Sequence, residues 1–314
     1  MINRELIAPE SIVIIGGSNN TQKPGGKIIR NLLEGKFPGK LYAVNPKETE
    51  VQGIPCFPDI TSLPNTELAI LAVPAAACPS IVEELASTRN TKAFIIISAG
   101  FGEETHEGFL LEQEILKTAN KYEASLIGPN CIGLMNRHHR SVFTLPIPEL
   151  DSRGVDLISS SGATAVYIME SAIGKGLRFN SVWSVGNAPQ IGVEDVLEYL
   201  DRSYIPGEST PIKILYIENI KDPDRMLLHA SSPESSGTCI PPLERASVNI
   251  TAGPPACVTM ARLRPLISFK LKTQATVVSS SRLKQRTMPA LRKSASTAKS
   301  ELAIAPVCEE AARL

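Results

Sequence analysis

The sequence predicts an α/β protein whose parallel sheets carry helices on both faces. Three observations support that expectation. Short, uninterrupted apolar runs recur between Ser11 and Ile217, stretches with helical spacing separate them, and most runs stop at glycine, proline or asparagine. A strand without polar alternation is buried on both faces, and helices above and below the sheet provide that burial. Ligands bind such sheets at the carboxyl ends of the strands.

Taken in order, Ser11–Ile15 is a buried strand running into glycines, Gly26–Leu33 is helical, and Leu41–Val44 is a strand stopped by Asn45-Pro46. Leu68–Val73, Ala93–Ser98 and Ser125–Ile127 are further strands, with helices over Ser80–Ser87 and Glu107–Tyr122. The Pro-rich stretch Leu145-Pro146-Ile147-Pro148 marks a boundary, dividing a first domain (1–146) from a second (150–230). There the alternation resumes: strand Val155–Ser159, helix Thr164–Ile173, strand Ser181–Val185, helix Val193–Leu200, strand Ile212–Ile217. These elements are too few to close a sheet of their own. From 231 to 314 neither period persists. Ser, Thr and Pro abound, and Glu234 and Glu244 are the only acids between Ser231 and Ser300, so the segment reads as a disordered basic tail.

Composition narrows the function classes. With 314 residues, 43% hydrophobic and 20% charged, the chain suits two globular domains. Lys+Arg and Asp+Glu balance at 32 each, so no overall field favours nucleic acid or an anionic membrane. Met1–Glu10 mixes charged and apolar residues unlike a signal peptide, and no apolar run approaches the roughly 20 residues that span a bilayer. Six cysteines without CxxC spacing predict neither a zinc site nor a disulfide framework and fit a reducing cytoplasm. The adjacent His138 and His139 read as a solvated turn rather than metal ligands.

Gly16-Gly17-Ser18 directly follows the first strand. Glycines there admit a phosphate close to the backbone, and the N–H groups and Ser18 hydroxyl can donate to it. By themselves they serve a plain turn as readily. Gly26-Lys27 is followed by Ile28 and lacks the Ser/Thr of a Walker A loop, and no GxGxxG occurs. A dinucleotide site would want an acid after the second strand. Here the strand ends Asn45-Pro46-Lys47, and the cation suits a ligand with an extra phosphate, although a lone lysine there also reads as a surface residue.

The strand-end loops taken together are more specific. "VNPK", "AVPA", "ISAGFGE" and "GPNCIG", in this order and spacing, resemble the CoA-binding domain of the ADP-forming acetyl-CoA synthetases, relatives of the succinyl-CoA synthetase α subunit. The resemblance covers roughly Ile7 to Ala230. It implies a Rossmann-like CoA-binding sheet, an incomplete flavodoxin-like ligase domain and the irregular tail. It also implies that Gly16, Gly17 and Ser18 cradle CoA phosphates and that Lys47 pairs with phosphate. Val73 and Pro74 would pack on adenosine or pantetheine, Ser98, Ala99 and Gly100 would line the pantetheine path, and Asn130 would lie near the thiol. Cys131 is read as a small packed residue, since the family's chemistry does not use it covalently.

In this family the second domain holds a histidine that takes a phosphoryl group from an acyl phosphate and passes it to ADP or GDP. A helix N-terminus supports the phosphohistidine. Ser161 and Gly162, in Ser159-Ser160-Ser161-Gly162-Ala163, match that strand-to-helix turn, which is not a GxSxG nucleophile elbow. Glu218 matches the carboxylate that orients the histidine, though it also reads as an exposed acid at a strand end. The resemblance further implies ADP/ATP and Mg on a partner ATP-grasp domain or subunit.

The Ser-His-Thr-Gly-like motif that should follow is missing, for no histidine comes after His229. Read from the third base of the Val258 codon, the segment Val258–Arg264 and its continuation can encode His-Asn-Gly-Ala-Leu-Ala-Ser-Ser-Asp, with the glycine forced. A frameshift between about Leu228 and Thr251 accounts for this. The expected function is therefore the CoA-binding part of an NDP-forming acyl-CoA synthetase, catalytically incomplete. The alternatives are a non-enzymatic CoA-binding or CoA-sensing module and, less favoured, an NAD-dependent oxidoreductase.

Overall fold

Ser11–Ile15 (β1) lies at the centre of the first sheet and is buried along its whole length, as its five apolar-flanked positions require. The computed structural model describes residues 2–145 and 147–230, together with the short strand Cys257–Val258. A one-turn helix, Arg4–Ile7 (α1), precedes β1, and Pro24–Glu34 (α2) follows it with proline in its first turn, where the ring's fixed φ suits a helix start. Lys40–Val44 (β2), Glu50–Val51 (β3), Ile54–Phe57 (β4) and Leu68–Leu71 (β5) come next. A 3-10 turn at Ala75–Ala77 leads into Cys78–Thr88 (α3), then Ala93–Ile96 (β6), His106–Lys121 (α4) and Ser125–Ile127 (β7). The seven strands lie in the order β3-β4-β2-β1-β5-β6-β7, all parallel except the β3–β4 pair. The expected strands reaching Val73 and Ser98 stop at Leu71 and Ile96. Ala72 and Ile97 each still donate one backbone bond to the neighbouring strand, and the chain then turns away at Pro74 and towards Gly100.

The second sheet takes strands from both sides of the Pro-rich segment. Gly133–Met135 (β8) and Arg140–Val142 (β9) form an antiparallel pair attached to it, although both precede Leu145. Leu150–Ser159 (β10), Phe179–Ser184 (β11) and Lys213–Tyr216 (β12) run parallel, with Ile158 opposite Trp183 and Leu215. Cys257–Val258 (β13) closes one edge antiparallel to β12. Gly162–Ile173 (α5), Val193–Arg202 (α6) and Pro223–Ala230 (α7) complete the described elements. Apart from Cys257–Val258, the segment 231–314 expected to be a disordered, frameshifted tail lies outside the described residues.

One core joins the two sheets. Ile12, Ile14 and Ile28 of the first unit belong to the same buried cluster as Ile158, Trp183 and Val196 of the second. Separate clusters fill the outer faces, under α3 and α4 on one side and under α5 on the other. Apolar surface on both faces of both sheets is thus removed from water, the condition that uninterrupted apolar strands impose.

The expectation of a solvated His138-His139 turn is corrected for His139. That ring is buried, with Nδ1 2.7 Å from Ser141 Oγ and Nε2 2.9 Å from the Leu6 carbonyl. Its polar atoms need partners once out of water, and α1 supplies one of them. No helix among the described residues is long and apolar enough to cross a membrane, and no group of three or more His, Cys, Asp or Glu among them could hold a metal ion.

Candidate functional site

Every strand-end loop singled out in the sequence lies at the carboxyl edge of one of the two sheets. After β1 the chain turns at Gly16, which has φ +86°. A Cβ there would sit 2.6 Å from the Ala72 carbonyl oxygen, so the close approach of β5 excludes any side chain. The start of α2 presses on the same turn: a Cβ on Gly25 would lie 2.1 Å from the Gly16 oxygen. Asn45 ties the second loop to the first, its Nδ2 donating to Gly17 O at 2.8 Å while its Oδ1 accepts from Lys47 N at 3.0 Å. Gln52, which the sequence reading missed, braces the loop by donating to Ser18 O (2.8 Å) and Gly26 O (2.9 Å).

A row of contacts continues along this edge. The position of a Gly16 Cβ is 3.0 Å from Val73 Cγ1, Ser98 Oγ donates to Val73 O, and Asn130 N donates to Ser98 O at 2.8 Å. Pro74 opens the 3-10 turn beside Val73, and Gly100, at φ +96°, packs near Ala75. The expected phosphate end and the expected thiol end are therefore consecutive parts of one surface.

A cavity of about 620 Å³ opens where the two sheets meet. Ala99 and Asn130 line it from the first sheet, and Ser161, Gly162 and Glu218 from the second. The remaining predicted residues, Gly16, Gly17, Ser18, Lys47, Val73, Pro74, Ser98 and Gly100, lie outside its lining. Ser161 caps α5 with its Oγ, which accepts from Thr164 N at 3.3 Å, and Ser159 Oγ donates to Ser161 O at 2.7 Å. The unpaired N–H groups of that first turn give the wall an affinity for negative charge.

Comparison with known proteins agrees with this layout. Residues 10–137 match the CoA binding domain family, and residues 152–236 match the succinyl-CoA ligase like flavodoxin domain family. The chain is 35% identical over 230 residues to acetate–CoA ligase [ADP-forming] I of Archaeoglobus fulgidus, covering 72% of this chain and 32% of that protein. It is 36% identical over 220 residues to the acetate–CoA ligase [ADP-forming] II subunit alpha of Pyrococcus furiosus, covering 70% of this chain and 47% of that one.

This chain carries a CoA binding domain followed by a succinyl-CoA ligase like flavodoxin domain, and it is homologous to the α-type region of ADP-forming acetate–CoA ligases.

Among solved structures, the acetyl-coenzyme A synthetase 1 of Ca. Korarchaeum cryptofilum in complex with phosphate and ADP superposes with a TM-score of 0.65 at 29% identity. The match covers 72% of this chain and 48% of that one. The chain thus spans about a third to a half of the length of the relatives it matches.

Set against the synthetase family, the cavity has a conspicuous composition. All four histidines, His106, His138, His139 and His229, are among the described residues, and none lines it. His229 instead pairs with Asp201, Nδ1 to Oδ2 at 2.8 Å, between α7 and α6. Cys131 does line it, but burial pushes its thiol up to about 12 and Sγ donates to Ile96 O at 3.3 Å. A thiol that stays protonated is no nucleophile, which supports reading Cys131 as a packing residue.

The sequence reading missed several cavity residues. Glu103, Asn187, Glu194 and Lys221 all line the cavity. Glu103 sits inside the quoted "ISAGFGE" string, and Gly186-Asn187 ends a strand in the same manner as the loops that were singled out, so the signal was present. Burial alone would raise the Glu103 carboxyl, but donors from Asn187 and from the backbone of Gly100 and Phe101 hold it below its ordinary value. Glu194, buried in the first turn of α6, accepts from Lys221 N at 3.2 Å.

Proposed function

We propose that this chain is the CoA-binding part of an NDP-forming acyl-CoA synthetase, the intact enzyme catalysing acyl-CoA + NDP + phosphate ⇌ acid + CoA + NTP. One observation carries the reading. Residues assigned separately to CoA and to phosphoryl transfer converge on a single cavity, with Ala99 and Asn130 opposite Ser161, Gly162 and Glu218.

In this scheme Gly16, Gly17 and Ser18 hold the CoA phosphates at the start of α2, where free N–H groups and the helix dipole favour anions. Lys47 adds a cation for phosphate. Val73, Pro74, Ser98 and Gly100 line the path of the pantetheine arm towards Asn130. Across the cavity the first turn of α5 at Ser161-Gly162 stabilises a phosphorylated imidazole that Glu218 orients. ADP or ATP, with Mg, binds an ATP-grasp partner domain or subunit, and the assembly works in the cytoplasm.

No histidine lines the cavity, which supports the reading that the chain binds CoA without transferring phosphate. The frameshift between about Leu228 and Thr251 explains the loss. Phosphohistidine formation by a frame-corrected chain supports the synthetase reading. Its failure, with CoA binding intact, leaves a CoA-binding module.

The deciding test is calorimetric titration with CoA, with desphospho-CoA and NADH as controls. The expected result is saturable CoA binding, weakened about tenfold by loss of the 3′-phosphate and similarly by Lys47→Ala, because a charge-assisted contact on this scale is lost. A folded sample that binds NADH and not CoA refutes the reading.

A further inference from the structure

The loop after β11 reaches across the cavity into the first domain. Asn187 N donates to Pro129 O at 3.0 Å, and Gln190 joins Leu126 N, Asn120 Oδ1 and Ala124 O, with contacts of 2.7 to 3.0 Å. At its tip the Asn187 side chain meets three partners. Nδ2 contacts a carboxylate oxygen of Glu103, from the loop after β6, and lies 2.8 Å from Glu112 Oε2 on α4. Its Oδ1 lies 3.4 Å from Asn130 Nδ2.

Chemistry fixes which way both amides face. An ionised carboxylate only accepts hydrogen bonds, and Glu103 is held below its ordinary value, so the Asn187 atom facing it must be the NH₂ group, which has two protons to give. The carbonyl oxygen then faces Asn130, whose nearer amide atom must be a donor. With one NH₂ proton given to Asn187, the Asn130 amide has its carbonyl oxygen on the other side, an acceptor for the cavity that Asn130 lines. The backbone holds Asn130 in place meanwhile, through its N–H to Ser98 O at 2.8 Å.

We propose that Asn187 is a positioning residue that sets the Asn130 amide so that its carbonyl oxygen accepts a hydrogen bond from the thiol-bearing end of CoA. This rests on the CoA-binding reading above. The thiol-bearing end of the pantetheine arm offers an amide N–H and an S–H as donors, and an acceptor at Asn130 is complementary to both. The Glu103 carboxyl, held below its ordinary value, enforces the orientation through neutral pH, and Glu112 Oε2 is a second acceptor beside it. Lys221, bonded to Ala188 O next door, is the cation facing the same loop.

The test compares CoA with 3′-phosphoadenosine 5′-phosphate, which carries the nucleotide half alone, on wild type, Asn187→Asp and Asn187→Ala. Both variants are expected to bind CoA about tenfold more weakly, as loss of an oriented hydrogen bond implies, and the nucleotide half within about twofold of wild type. Retained nucleotide binding also shows that the first domain is folded. The Asn187→Asp defect should shrink as pH falls from 7 to 5. A carboxyl set against Glu103 and Glu112 has its pKa raised, and on protonation it donates again. The Asn187→Ala defect should not change with pH. Equal weakening of both ligands, or no change in CoA affinity, overturns the positioning role while sparing the CoA-binding reading. Failure of wild type to bind CoA overturns both.

Discussion

At Gly16 the fold admits a hydrogen and nothing larger, because the Ala72 carbonyl oxygen occupies the space a Cβ would need and φ is positive. Gly16→Ala is expected to cost about 1–3 kcal/mol of stability and to abolish CoA binding by displacing the turn. Thermal melting and calorimetry read the two effects separately, and a variant that melts with wild type contradicts the geometry. Cys78 and Cys131 are both buried with thiols pushed up to about 12. Iodoacetamide at pH 7.5 should leave both unlabelled in the native chain and label both after denaturation, as peptide mass spectrometry will show. Native labelling of Cys131 would reopen its candidacy as a nucleophile.

At the scale of elements, the β8–β9 pair fastens the two sheets together. Asn136 Nδ2 donates to Ile7 O at 3.0 Å and His139 Nε2 lies against Leu6 O, while Asn31 of α2 donates to Val142 O at 2.6 Å. Burial, aided slightly by His138, pushes the His139 ring down to about 4 against the upward pull of the Leu6 carbonyl. The folded chain therefore binds fewer protons here than the unfolded chain between about pH 6.5 and 4. Stability from this residue is complete above pH 6.5 and is lost as pH falls to 4, by about 3 kcal/mol. His139→Gln keeps a side-chain amide without a titrating group, so its denaturation midpoint should vary less with pH across that window. Parallel acid limbs for the two proteins would assign the loss to other groups.

At the scale of the whole molecule, a ligand in the shared cavity touches both sheets. CoA is expected to slow hydrogen exchange at Gly16–Ser18 and, equally, in the loops around Asn187 and Glu218, which line the cavity from the second sheet. Protection confined to the first sheet would mean that the thiol end stops short of the cavity. At 100 Kd of CoA the native state gains about 2.7 kcal/mol, and one cooperative transition should shift as a unit because a single buried cluster spans both sheets.

Much of this was legible in the residues. Uninterrupted apolar strands announced sheets covered on both faces, and glycine and proline at the strand ends marked the loops that hold the candidate site. Both signals are local, so periodicity and turn chemistry reveal them directly. The sequence could not assign β8 and β9 to the second sheet, since strand partners are chosen by register and packing across the whole chain and a three-residue strand carries little pattern. Nor could it bury His139, whose partner Leu6 lies 133 positions away. The meeting of Asn130 with Ser161, Gly162 and Glu218, and the Asn187 bridge to Glu103 and Glu112, follow from the common core that presses the two sheets together. Residue identity determined which groups could do the chemistry, and packing decided which of them share a cavity.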